Sequence, residues 1–344
     1  MRRIAVWNTA FLGDAVLTLP LIRTLKNAYP DAEIDFWVRK GFEGLFAAQP
    51  ELAGVYGYDK NGAQKGAKGA LKLGRELAAR NYSLFISAHT SFRSGMIARW
   101  SSAKVRIGYK SPCINRYFYT HTVSRRFAEL EEIERLLELV KPLGISAVQD
   151  WPELVLPEQA EQSAEQFVAR YVRGPVVGLH PGSVWGTKRW PAASYAEVGS
   201  RAVAAGAQVI LFAGPGEEYM ARDVLERIDT AGKQDAVLDL SGKLTLPELA
   251  AHLGRLGCYV TNDSGPMHLA WAQRTPVTAV FGPTVRALGF YPRGETSAVL
   301  EADVECRPCG LHGPQQCPKG HHRCMTEITP EAVWSDVKSK LFGE

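Results

Sequence analysis

Long apolar runs are missing from this sequence: no stretch approaches the ~20 uncharged apolar residues that a helix needs to cross a bilayer, so a helical membrane span is not expected. Cysteine is scarce, with six in 344 residues, too few to staple a chain of this length as a secreted disulfide framework. Neither of the strands that open the two halves is followed by GxGxxG, which argues against a dehydrogenase. Negative charge is almost absent between residues 60 and 126, where Glu76 alone faces fourteen Lys or Arg. The net charge of +4 therefore hides a stretch of +13 and a remainder of −9. That asymmetry points to an anionic partner, whether phosphorylated lipid headgroup, nucleic acid or acidic sugar, or else to a solvated basic face. The opening MRRIAVWNTAFLGDAVLTLPLIRTL imitates a signal peptide, yet Asn8 and Asp14 interrupt any apolar core and Arg23 follows soon after. A cytoplasmic protein is expected.

What is present is a globular balance, 46% apolar and 22% charged, in a chain long enough for two cores. Ile4 to Trp7 reads as a strand, a Gly-containing loop follows, and residues 15 to 28 carry apolar residues at helical spacing. Ala32 to Val38 and Leu84 to Ser87 read as further strands, Leu71 to Arg80 and Phe127 to Val140 as helices. The pattern thins around Trp151 to Pro157 and then restarts. Strands at 176–179, 209–212, 237–239, 259–262 and 277–281 alternate with helices at 192–205, 219–228, 247–256 and 267–273. Such alternation implies two Rossmann-like, doubly wound α/β domains with mostly parallel sheets, 1–157 and 158–328. Residues 329–344 read as a closing helix with Thr329 as N-cap and Pro330 in the first position.

In open parallel sheets, ligands bind beyond the carboxyl ends of the strands, so the loops there are the candidate sites. Asp14 stands before the first helix, as a cap or as a general base. The loop HPGSVWGTKRWP offers Gly182, Ser183, Thr187 and Lys188 to a diphosphate, though it lacks the spacing of a GxxxxGK[ST] phosphate loop. Glu217 and Glu218 follow a GxG at a strand end, where acids bind ribose hydroxyls or complement a helix dipole. In YVTNDSGPMHLA, Ser264 and Pro266 are explained as helix start signals, and Asp263 and His268 either face a ligand or belong to a capped helix with a satisfied buried histidine. FGPT and GFYPRG at 281–294 are equally consistent with turns and with ligand contact. Cys306, Cys309, Cys317 and Cys324 form C-x2-C-x7-C-x6-C, either a structural zinc site or reduced or partly disulfide-linked thiols; in both readings the segment is a clip remote from the chemistry.

Taken together and in order, LGDAVLTLPLIRTLKNAYP, HPGSVWGTKRWP, NDSGPMHLAWA, FGPT and CRPC…QQCPKGHHRCM resemble the ADP-heptose:lipopolysaccharide heptosyltransferases of glycosyltransferase family 9, the last segment being most like their heptosyltransferase II branch. The resemblance runs nearly end to end. It implies a GT-B fold, two domains facing across a cleft, with acceptor on the first and ADP-sugar on the second. It implies inverting transfer of heptose from ADP-L-glycero-D-manno-heptose to the lipopolysaccharide inner core with no metal or other cofactor required. By the same resemblance Asp14 is the base and Lys188 contacts phosphate. Gly13, Gly182, Ser183, Thr187, Asp263, Ser264, Gly265 and His268 fall to the donor, with Glu217 or Glu218 at the ribose and Leu244 at the adenine. The basic first half would hold a lipid-anchored, phosphorylated acceptor at the membrane's cytoplasmic face, with His89 and Arg93, after the strand at 84–87, as its contacts. A noncatalytic or different-sugar relative, and a nucleic-acid-binding protein, are the alternatives; the second needs aromatic stacking platforms, and only Tyr117, Phe118 and Tyr119 cluster among the basic residues.

Overall fold

The structure, a computed structural model, describes residues 1–110, 117–147 and 151–343; Arg116 of the basic stretch lies outside them. Two compact units are present, Met1–Pro157 and Glu158–Glu344. In the first, β1 (Arg3–Asn8), α1 (Leu12–Leu17), α2 (Leu19–Ala28), β2 (Glu33–Arg39) and β3 (Gly54–Tyr58) lead to α3 (Gly66–Ala79) and β4 (Leu84–Ser87). Then come α4 (Phe92–Trp100), β5 (Val105–Tyr109), β6 (His121–Val123) and α5 (Glu132–Leu137). The second unit opens with α6 (Glu158–Tyr171), β7 (Val176–His180), α7 (Ala192–Ala204), β8 (Gln208–Leu211), α8 (Glu218–Leu225) and β9 (Val237–Asp239). It continues through α9 (Leu246–Leu253), β10 (Cys258–Asn262), α10 (Gly265–Ala272), β11 (Val277–Phe281) and β12 (Ser297–Glu301) to α11 (Arg323–Thr326) and α12 (Pro330–Phe342).

Among the described residues each unit holds one six-stranded sheet, ordered β3-β2-β1-β4-β5-β6 and β12-β11-β10-β7-β8-β9, with every pairing parallel. In each, the chain reverses its direction of winding at the middle, between β1 and β4 and between β7 and β10. That reversal parts the loops at the strand ends and opens a crevice where a ligand can sit. The central strands are near-continuous apolar runs, as strands covered on both faces must be: β1, β7, β10 and β11 are buried along nearly their whole length.

Several elements depart from the sequence expectation. The helix expected over 15–28 is two helices, because Pro20 has no N–H to give a carbonyl one turn back, and the chain restarts at Thr18. The helix expected over 127–140 is α5 followed by a 3₁₀ segment, Glu138–Leu143, that carries Pro142. The strands β3, β5, β6 and β12 were not anticipated; they lie toward the sheet edges, are only partly buried, and lack the continuous apolar signature. The tail helix α12 has Thr329 Oγ1 accepting from the Ala332 N–H and packs within the second unit, its Val333 and Val337 in that unit's core.

Helix α3 buries Ala70, Leu73 and Leu77 among Trp7, Phe85 and Ile97. A Cβ on Gly74 would lie 2.4 Å from the Cβ of Trp100 on α4, so the two helices touch through that glycine. Gly74→Val is expected to destabilise the protein by about 2 kcal/mol through overpacking, measured as a lower urea midpoint. An unchanged midpoint would show that this contact does not set the helix spacing.

Candidate functional site

At the switch point of the second sheet, Asn262 ends β10 with its side chain turned sideways. Its Oδ1 accepts from the Trp190 N–H at 3.0 Å, and its Nδ2 donates to the carbonyls of Pro181 and Gly182 at 2.9 and 3.3 Å. This amide fixes both ends of the loop 181–190 to the neighbouring strand. The loop is thereby bent so that the Lys188 Nζ lies 2.5 Å from the Asp263 Oδ2, to which Thr284 Oγ1 also donates at 2.6 Å. Lys188, Asp263 and Thr284, from the loops after β7, β10 and β11, are all buried. Charges so placed persist only when paired and hydrogen-bonded.

Ser264 caps α10 and Gly265 is its first residue, which leaves backbone N–H groups at the same sheet edge. One turn on, His268 is buried and its Nδ1 has no partner among the described residues. Burial pushes its pKa down to about 4, with Lys188 adding to the effect and Asp263 opposing it. At neutral pH this imidazole offers a hydrogen bond, not a charge.

The two glutamates after β8 diverge. A Cβ on Gly182 would lie 2.4 Å from the Glu217 Oε2, so Glu217 reaches the loop after β7 and the glycine makes room for it. Glu218 instead turns to Gly242, where a Cβ would be 2.5 Å from its Oε1. Burial raises the pKa of Glu217, against the pull of Arg189. Beyond β8, Phe212, Leu240, Leu244 and Leu249 line an apolar slot of about 180 Å³. Ser183 is buried, its Oγ accepting from the Trp185 N–H. Thr187 directs its hydroxyl proton to the Pro314 carbonyl at 2.5 Å.

The segment 306–324 is not remote from these loops. The His322 Nε2 lies 2.8 Å from the Thr187 carbonyl oxygen, Gln315 bonds both the Gly186 N–H and the Val184 carbonyl, and His312 stacks on Trp185. It braces the loop that carries Lys188, a contact that the sequence could not reveal because its partners are more than 120 residues apart. Cys306, Cys309, Cys317 and Cys324 are free thiols, and burial together with its cysteine neighbours holds the Cys324 thiol up at about 11. Among the described residues no group of three or more His, Cys, Asp or Glu is arranged to hold a metal ion, so the zinc reading gains no support.

In the first sheet the loops after β1 and β4 occupy the switch point. Asn8 donates to the Asp14 carbonyl and to Thr18 Oγ1 at 3.0 and 2.8 Å, which folds α1 back against its own strand. Gly13 is buried beside Asp14 in α1. The half-buried Asp14 Oδ2 accepts the Phe11 N–H at 3.1 Å, as a capping residue does. Its pKa is nevertheless raised to about 6, by burial first and by the nearby charge of Glu132 second, with Arg125 opposing. Glu132 is buried and held by Arg125 at 2.9 Å and by Arg135 at 3.0 Å.

Beside the loop after β4 a cavity of about 580 Å³ is lined by Thr9, Tyr58, Lys60, His89 and Arg93. His89 Nδ1 lies within 3.3 Å of Thr9 Oγ1 and 3.2 Å of Ser94 Oγ, and burial with Lys60 and Arg125 lowers its pKa to about 4. The Tyr58 hydroxyl is buried without a partner among the described residues. The pKa of Lys60 is lowered by burial and by Arg39 and Arg93, which places three cations together. Sequence reasoning missed Tyr58 and Asn262 and named Lys60 and Thr284 only within the basic stretch and the FGPT turn; the NDSG spacing flagged only the neighbours of Asn262, and β3, which presents Tyr58, had no strand signal.

A model of glycosyltransferase family 9 (heptosyltransferase) matches residues 70–313. Lipopolysaccharide heptosyltransferase 2 of Escherichia coli K12 is 27% identical over 357 residues, 99% of each chain. Among solved structures, a family 9 glycosyl transferase from Veillonella parvula superposes with a TM-score of 0.89 at 24% identity, over 100% of this chain and 98% of that one. An E. coli heptosyltransferase, WaaC with ADP, gives 0.74 at 22% identity, over 98% and 99%. The fold is of the GT-B class that these structures share.

Asp263→Ala leaves the Lys188 ammonium buried without its counter-charge and is expected to lower stability by about 3 kcal/mol in urea denaturation. Adding Lys188→Met should recover much of the loss. A single variant as stable as the parent would contradict the pairing.

Proposed function

Because the chain belongs to glycosyltransferase family 9 (heptosyltransferase) and is thereby a glycosyltransferase, we propose that it moves a heptose from ADP-L-glycero-D-manno-heptose to the phosphorylated inner core of lipopolysaccharide, with inversion and with no metal required. The observation that carries this reading is the second switch point, where Lys188 and Asp263 meet beside the half-buried N-terminus of α10, on the same sheet edge as the apolar slot. The slot takes the adenine against Leu244, and Glu217, turned to the loop after β7, takes the ribose hydroxyls. Lys188, the α10 N–H groups and His268 receive the diphosphate, and Gly182, Ser183 and Thr187 shape the loop around it. With Lys188 directed to phosphate, Asp263 is free to accept from the heptose hydroxyls.

Lys60, His89 and Arg93 bind the anionic acceptor, whose lipid anchor keeps the enzyme at the cytoplasmic face of the membrane. Among the described residues no helix is long and apolar enough to cross one. Asp14 takes the proton of the acceptor hydroxyl. The oxygen forms its bond to the anomeric carbon from the face opposite ADP, and the bond to the β-phosphate oxygen breaks, its electron pair leaving with ADP. Lys188 neutralises the charge that develops there. A carboxylate with a pKa near 6 is both ionised at neutral pH and a stronger base than an ordinary aspartate.

Transfer from ADP-heptose to defined inner-core acceptors tests the reading. Asp14→Asn is expected to lower turnover by about 10²- to 10⁴-fold while ADP binding, measured by calorimetry, is retained; undiminished turnover removes Asp14 from the role of base. ADP binding without transfer of heptose would point to a different donor sugar. The pH profile carries a sign: below about 6 Asp14 is protonated and cannot accept, so kcat/KM should fall as pH drops through that value. A profile flat from pH 5 to 7 would contradict the assignment.

A further inference from the structure

Neither the acceptor cavity nor the donor loops use the outer face of α3. Lys68, Lys72 and Arg75 stand exposed along it, four and three positions apart, and border one open concavity of about 570 Å³ with Leu71 and Ala79. None of the three cations has a hydrogen bond or an ion pair among the described residues, and neither does Glu76, the acid beside them. The stripe is continuous with the acceptor cavity, since Gly66 and Ala67 in the first turn of α3 line that cavity beside Lys60 and Arg93.

We infer that this stripe rests on the anionic phospholipid surface of a bilayer and seats the first unit beside the lipid anchor of its acceptor. The inference rests on the acceptor proposed above. A free phosphorylated sugar fits the Lys60 and Arg93 cavity better, because the α3 face has no hydroxyl or aromatic group to orient it. Spaced cations on an open face suit a diffuse sheet of charge. Single-stranded nucleic acid is disfavoured by the same lack of aromatic stacking groups. The apolar face of α3 is already committed to the core, so the helix does not insert; attachment is electrostatic and depends on anionic lipid and on salt.

Sedimentation of the full chain with vesicles tests this. Binding is expected to vesicles containing phosphatidylglycerol and not to pure phosphatidylcholine, and to be lost as salt rises from about 0.1 to about 1 M. In the triple variant Lys68→Gln, Lys72→Gln, Arg75→Gln the partition coefficient should fall roughly a hundredfold, at about 1 kcal/mol for each basic residue near the surface. Turnover of a de-acylated, water-soluble acceptor should stay within about twofold while turnover of vesicle-embedded acceptor falls. Variant binding equal to the parent, equal binding to neutral vesicles, or binding of duplex DNA in preference to vesicles overturns the inference. A parent protein that binds anionic vesicles through this stripe yet transfers nothing to either acceptor upholds the surface and defeats the proposed reaction instead.

Discussion

A lysine and an aspartate buried 2.5 Å apart hold the second unit's binding edge together. Lys188 comes from the loop after β7 and Asp263 from the loop after β10, and Thr284, from the loop after β11, bonds the same carboxylate oxygen. Three strand ends that the sheet topology merely sets side by side are thus tied at one atom. Neither charge could remain buried alone, because removing an ion from water costs several kcal/mol unless a partner offsets it. In the proposed reaction the pair exchanges partners: a diphosphate arriving at the N-terminus of α10 takes over the ammonium, and the carboxylate is then released toward sugar hydroxyls. Asn262 and the 306–324 segment matter because they fix the loop that carries the lysine.

The first unit places its aspartate under the opposite condition. Asp14 has no cation at salt-bridge distance among the described residues; it accepts a backbone N–H, and its nearest charged influences are Glu132 and, against it, Arg125. Arg125 and Arg135 both bond Glu132, and at Asp14 the raising influence of Glu132 exceeds the lowering one of Arg125. The result is a carboxylate that holds a proton more tightly than usual, which suits a group meant to accept one. The two aspartates, one in the helix after β1 and one directly after β10, therefore differ in environment: Asp263 is paired with a lysine and Asp14 is not.

The sequence disclosed the parts that depend on local chemistry. Largely apolar central strands such as β1, β10 and β11, the helix starts at Ser264 and Thr329, and the Gly-rich turns at strand ends were readable because their signals lie within a few residues. What required the fold was long-range. Edge strands β3 and β12 owe their existence to a neighbour's free edge and not to their own apolar content. Glu217 and Glu218 are adjacent in sequence, and only the packing of Gly182 and Gly242 separates their directions. The cysteine segment looked peripheral because nothing in its spacing announces that His322 and Gln315 meet a loop more than 120 residues earlier. The basic stretch likewise resolves into two surfaces, a cavity with Lys60 and Arg93 and the outer face of α3, a distinction that charge counting cannot make.

Calorimetric titration of ADP and of adenosine into the protein and its Lys188→Met variant tests most directly whether Lys188 meets the phosphates. ADP should bind the variant about 10- to 100-fold more weakly, the range expected for a lost hydrogen bond to a charged group, while adenosine affinity is unchanged. Equal affinity of ADP for both proteins would contradict it.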